Sequence, residues 1–168
     1  MALVERRSGS PRAAALAANL REAAAGLISV LEATEEDRWR QVPQPGAWSI
    51  SKDAEHVIEA AAYHQWIVRL TIGDRVPKRK PVLERLAMTS DLAPAEAVDL
   101  LRQRTDEGAR LLLALTDEQL NLVTRPPRAR SEVLGATIER VLIGHYGVHA
   151  ADIEAKLRAI GGDVRSGV

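Results

Sequence analysis

Apolar residues recur at helical spacing in four long stretches of this 168-residue chain, and no stretch shows the period-two alternation of a half-buried strand. Leu16, Leu20, Ala24, Leu27 and Leu31 share one face between Pro11 and Glu32. Ser10-Pro11 supplies a capping residue followed by a proline suited to the first turn. A second helix is expected to start at Ser49 or Ser51 and run to about Ile72, with Ala60, Tyr63, Ile67 and Leu70 following His56 on one side. Gly73-Asp74 ends it. A third begins near Pro94 and runs to Leu115 with Ala97, Leu101, Gly108, Leu112 and Leu115 aligned, and Thr116-Asp117-Glu118-Gln119 has the form of a capping box that starts one further turn. The fourth is expected from Ser131 to Ile160, stopping at Gly161-Gly162.

The connections are polar and rich in breakers. Val42 to Trp48 holds two prolines and a glycine; Arg75 to Leu92 holds two more prolines and an apolar segment, Val82 to Met88, expected as a short helix; Thr124 to Arg130 contains Pro126-Pro127. The long segments on either side of the third helix allow crossovers. These patterns predict one all-α domain over residues 1–168, a four-helix bundle with crossover connections, with flexible ends at 1–10 and 163–168.

Composition removes several classes of function. The 23 basic and 23 acidic residues cancel, so binding to nucleic-acid phosphates has little electrostatic basis, and Lys78-Arg79-Lys80 between Pro77 and Pro81 reads as a solvated loop. With no cysteine there is no disulfide, no thiolate ligand and no protein thiol nucleophile, so any metal must be held by nitrogen and oxygen. No signal-peptide pattern or membrane-spanning segment is apparent, which makes the cytoplasm the expected compartment and leaves no membrane partner expected. Glu-x-x-His, His-Glu-x-x-His, a glycine-rich phosphate loop and a nucleophile elbow are all missing.

Three of the four histidines fall where core residues belong. On the fourth helix Leu134, Ile138, Val141, His145, Val148, His149 and Asp152 form one stripe, so His145 and His149, four apart, interrupt an apolar face. Buried imidazoles need partners, and a divalent ion would satisfy both. His56 lies on the apolar face of the second helix and supplies a third nitrogen. Three imidazoles that leave coordination positions open describe a catalytic site more than a closed structural one.

Pro45-Gly46-Ala47-Trp48-Ser49-Ile50, then His56, then His145-Tyr146-Gly147-Val148-His149 resemble the DinB/YfiT-like family of metal-dependent enzymes over nearly the whole chain. The resemblance implies that His56, His145 and His149 hold a divalent metal, Zn or Ni foremost, with Mn and Fe as alternatives. It implies hydrolysis or transfer of a low-molecular-weight thiol, a small-molecule substrate and a homodimer.

Other polar residues near this pattern carry two readings each. Glu59, three residues after His56, is in reach of a metal-activated water as general base, or is a solvated helix charge like Glu55. Tyr63 and Tyr146 either offer a hydroxyl to substrate or supply core bulk in a chain without phenylalanine, and Trp39, Trp48 and Trp66 are assigned to packing. His64 lies about 80° around the helix from His56 and is expected to be a neighbour rather than a ligand. Asp152, three residues after His149, either orients a ligand or adds an oxygen ligand, or is a surface carboxylate near the bundle end. A non-catalytic bundle that binds metal or a small ligand in a stress response is the alternative to an enzyme.

Overall fold

In the computed structural model, which describes residues 10–77, 81, 83, 86–124 and 131–162, Ser10 opens the first helix, α1 (Pro11–Glu32), by accepting a hydrogen bond from the Ala13 amide. Ser10 is buried and also donates to Asp117, so the flexible N-terminal segment expected at 1–10 excludes its last residue. Residues 1–9 and 163–168 lie outside the described residues.

After a single turn, α2 (Glu36–Trp39), the second long helix α3 (Ile50–Thr71) is capped by Ser49, which accepts from the Lys52 amide. It ends as Gly73 takes a left-handed conformation (φ 81°), with the Gly73 and Asp74 amides donating back to Leu70 and Arg69. Leu70, expected on the apolar face, is exposed in its last turn. The third long helix is α4 (Pro94–Leu113), and the capping box at Thr116 and Gln119 is formed and starts α5 (Asp117–Leu120).

Two expectations need correction here. Leu83 and residues 86–88 are not helical, and the rest of the expected Val82–Met88 helix lies outside the described residues, as do Lys78-Arg79-Lys80. A short antiparallel pair, β1 (Val123–Thr124) with β2 (Glu132–Val133), brackets residues 125–130, so the last helix starts at Leu134 rather than Ser131. Two-residue strands carry no alternation to read. Thr124 Oγ1 contacts the Glu132 carbonyl and Thr137 Oγ1, which ties the pair to the helix start.

α1 packs on α4 and on the last helix, and α3 packs on the same two, so α1 and α3 stand on one diagonal of the bundle. The first and third connections therefore cross the bundle, whereas the long second one, expected as a crossover, joins neighbours. Leu16, Leu20, Leu27, Leu101, Leu112, Leu134 and Ile138 form the centre of the core, each leucine there contributing roughly 1.5–3 kcal/mol by leaving water. α1 is long enough to span a membrane, and an 18-residue window of it reaches a mean hydropathy of 1.3, contrary to expectation. Its alanines raise the mean, while its leucine face is spent on the core and Arg21 and Glu22 face outward.

α1, α3 and α4 meet at Gly108, where an added Cβ would stand 3.0 Å from Leu20 Cδ2 and 3.1 Å from Gln65 Nε2. Gln65 is held there by donating to the Arg104 carbonyl at 2.8 Å. Alanine improves helix propensity by about 1 kcal/mol, but crowding in a packed core costs about 1–3 kcal/mol.

The last helix is not uniform. α6 (Leu134–Thr137) runs into a six-residue π-helical segment, Ile138–Ile143, and then α7 (Gly144–Gly162). The Gly144 amide donates to Glu139 O, five residues back, and a Cβ on Gly144 would stand 3.2 Å from that oxygen. The wide turn absorbs one extra residue. The expected stripe through Val141, Val148 and Asp152 is therefore replaced by Leu134, Ile138, Leu142, Tyr146, His149 and Ile153, with Val148 and Asp152 exposed.

Two outcomes follow for stability. Gly108→Ala lowers it by up to about 2 kcal/mol in denaturant unfolding, the crowding outweighing the propensity gain; a more stable variant contradicts the close approach. Deleting exposed Glu139 removes the extra residue and leaves a folded bundle with unchanged or raised melting temperature. Deleting exposed Gly147, in regular α-helix, rotates everything after it by about 100° and disrupts the packing of His149 and Ile153. Equal damage from both deletions rules out the π segment as an insertion.

Candidate metal centre

The α3 end of the site is fixed by its anchorage. The Ser49 amide donates to Met88 O at 2.9 Å, Ser49 and Ser51 hydroxyls meet at 2.8 Å, and the Ser90 amide donates to Ser51 Oγ at 3.1 Å. Ser90 Oγ donates to Glu55, which also pairs with the fully buried Lys52. Trp39 Nε1 donates to Leu92 O at 2.7 Å, and Arg40 donates to Ser90 O and Asp91 O. This seam between the α3 N-terminus and residues 88–92 sets the helix phase. Two turns in, His56 points to the interior with the Trp48 ring 5.0 Å from its own.

α7 supplies the other two imidazoles. The rings of His145 and His149 lie 5.1 Å each from His56 and 4.5 Å from one another, and one nitrogen from each of the three lies within 4.8 Å of the other two. His56 and His149 are buried and His145 is partly exposed. Three nitrogen donors from two helices, in a chain without thiolates, form a set that suits a borderline divalent cation. The three residues expected from the sequence are the three brought together.

The remaining expected residues are placed outside this group. His64 meets His145 edge-on at 5.5 Å but is not among the converging donors. Burial, then the fields of His56 and Arg140, lower its pKa to about 4, which keeps the ring neutral near pH 7. Tyr63 stacks on Trp66 and stands edge-on to His64, one residue removed from the centre. Glu59 is half-buried one turn beyond His56 and is not among the donors within 4.8 Å. Tyr146 is fully buried core bulk, its hydroxyl raised above the usual tyrosine range by burial, with Thr105 and Arg104 of α4 opposing that shift. Asp152 is exposed, as a surface carboxylate.

Asp53, on α3 and nearly without exposure, is the residue that sequence reading missed. Its Oδ1 lies 3.4 Å from His149 Nδ1, and its other oxygen pairs with Lys156 of α7. Asp53 stands three residues before His56, one helical turn from it, but nothing in that spacing points to His149 or Lys156 as its partners.

No curated protein matches the sequence. Among solved structures the fold is similar to YfiT from Bacillus subtilis, described as "a probable metal-dependent hydrolase with an unusual four-helix bundle topology", with TM-score 0.72 and 20% identity over 93% of this chain and 92% of that one. It is similar also to a mutant of the mycothiol-dependent maleylpyruvate isomerase, with TM-score 0.65 and 13% identity over 83% of this chain and 59% of the other. A conserved protein from Enterococcus faecalis gives TM-score 0.57 and 14% identity over 88% and 96%. Residues 19–153, which carry all three converging histidines, match the DinB superfamily, and the chain belongs to that family.

Proposed function

We propose that this protein is a metal-dependent enzyme that uses His56, His145 and His149 to hold one divalent ion, Zn or Ni foremost, and acts on a small molecule by hydrolysis or by transfer of a low-molecular-weight thiol. The convergence of three imidazole nitrogens within 4.8 Å, on the inner faces of two packed helices, carries the reading. When bound, such an ion supplies a Lewis acid that brings the ionisation of a ligated water or thiol toward neutral pH. Histidine ligands leave the protein's contribution neutral, which preserves that acidity better than carboxylates would.

The protein's residues supply orientation and exclusion of water. Trp48 covers one side of His56, and neutral His64 stands behind His145 without adding charge to the centre. Glu59, half-buried one turn from His56, is the carboxylate we assign as general base in a hydrolytic reaction, and Tyr63 is assigned to the wall beyond His64. The fold likeness to a probable metal-dependent hydrolase supports metal chemistry, and the likeness to a mycothiol-dependent isomerase keeps thiol-dependent chemistry in play beside hydrolysis.

Protein stripped with chelator and then given Zn²⁺ or Ni²⁺ is expected to take up one ion per chain. At a hundredfold excess over Kd its stability rises by about 2.7 kcal/mol, or roughly 5–10 °C in melting temperature. His145→Ala is expected to abolish uptake and keep the helical circular dichroism of a folded bundle. Screens of ester and amide hydrolysis against thiol conjugation, each with and without chelator, separate the two reactions. Full metal occupancy in His145→Ala, or no stoichiometric ion in the parent protein, overturns the reading.

A further inference from the structure

The contact between Asp53 and His149 belongs to neither the core nor the ligand set. Asp53 sits on α3 one turn before His56, is buried, and reaches across to α7, where one oxygen lies 3.4 Å from His149 Nδ1 and the other pairs with Lys156 Nζ. Lys156 lies two turns after His149 on the same helix. A buried carboxylate without a cation would be costly, and Lys156 removes that cost. We infer that Asp53 is a positioning residue that, held in place by Lys156, fixes His149 in the tautomer with its proton on Nδ1 and so keeps the Nε2 lone pair for a ligand. The inference builds on the assignment of His149 as a metal ligand, but the tautomer is a property of the protein alone.

The chemistry of the triad makes the two oxygens of Asp53 unequal. An ammonium only donates, so the atom facing Lys156 must be an acceptor. The other oxygen faces His149 Nδ1, a buried atom that makes no hydrogen bond at the present 3.4 Å; a small approach lets the oxygen accept from Nδ1–H, and that hydrogen bond would favour the Nδ1-protonated ring. The substitution Asp53→Asn is not neutral in this setting. Lys156 claims the amide oxygen, the amide nitrogen is turned toward His149, and its N–H donates to Nδ1, driving the ring proton to Nε2, the wrong place for ligation. Removing the cation as well, in Asp53→Asn with Lys156→Met, frees the amide to turn over and accept from Nδ1–H again.

The test begins on metal-free protein at mildly alkaline pH. Long-range ¹H–¹⁵N correlations of the imidazoles, with His149 assigned by its loss in His149→Gln, report which nitrogen carries the proton. The expected result is Nδ1–H in the parent protein, Nε2–H in Asp53→Asn, and return to Nδ1–H in the double variant. A second readout is Zn²⁺ affinity by competition with a chromophoric chelator: about 10–100-fold weaker in Asp53→Asn and largely restored in the double variant. A role confined to packing predicts no restoration, because the double variant lacks both charges.

A parent protein with its His149 proton on Nε2, or an Asp53→Asn variant whose tautomer and affinity are unchanged, overturns the inference. Should Asp53→Asn fail to fold, the parent tautomer and the charge-free double variant still decide it. Nδ1–H in a parent protein that takes up no Zn²⁺ would uphold the inference and defeat the metal reading of the site, so the two fail separately.

Discussion

An imidazole withdrawn from water loses its solvent hydrogen bonds and must find other partners, and this requirement shapes the middle of the bundle. Three imidazoles share one interior region between α3 and α7. Nothing about helix propensity asks for them there. The apolar faces of α1 and α4 provide the enclosure, while the two histidine-bearing helices are neighbours because the first and third connections cross the bundle. The crossover topology thus has a chemical consequence: it places the second and fourth long helices side by side.

Phase is the other constraint. α3 is fixed at its N-terminus by the seam of serines with residues 88–92, so His56 reaches the interior at a set height and angle. α7 gets its phase from the π-helical segment, which adds a residue between the Leu134–Ile138 contacts and the ligand turn. Without that residue, a regular helix carrying the same stripe would place Val148 and Asp152 inward and Tyr146 outward. With it, Tyr146 and Ile153 fill the core on either side of His149. Wide turns of this kind recur where a helix must serve packing and a site at once.

Much of this was legible in the chain. The entry at Ser10-Pro11, the stop at Gly73 and the capping box at Thr116 are short-range devices whose residues name them, and each is formed; of the two serines offered for the start of the second helix, Ser49 is the cap. The histidines were legible because apolar periodicity makes a polar residue on an inner face conspicuous. What periodicity does not carry is a one-residue change of pitch, and so the stripe beyond Ile138 was misplaced although His145 and His149 were found. The two-residue β pair is too short to leave a pattern. Asp53 escaped notice because its partners, His149 and Lys156, are about a hundred residues away in sequence and only the fold reveals them. The orienting role considered for Asp152 on the same helix falls instead to a carboxylate from the facing one.

The central claim is that one divalent ion sits among His56, His145 and His149, and anomalous diffraction tests it most directly. Crystals grown with Zn²⁺ and measured on both sides of the zinc absorption edge are predicted to give one dominant peak, within bonding distance, about 2.0–2.1 Å, of a nitrogen from each of the three imidazoles. Peaks confined to surface carboxylates or to lattice contacts, with none among the three rings, would contradict the account.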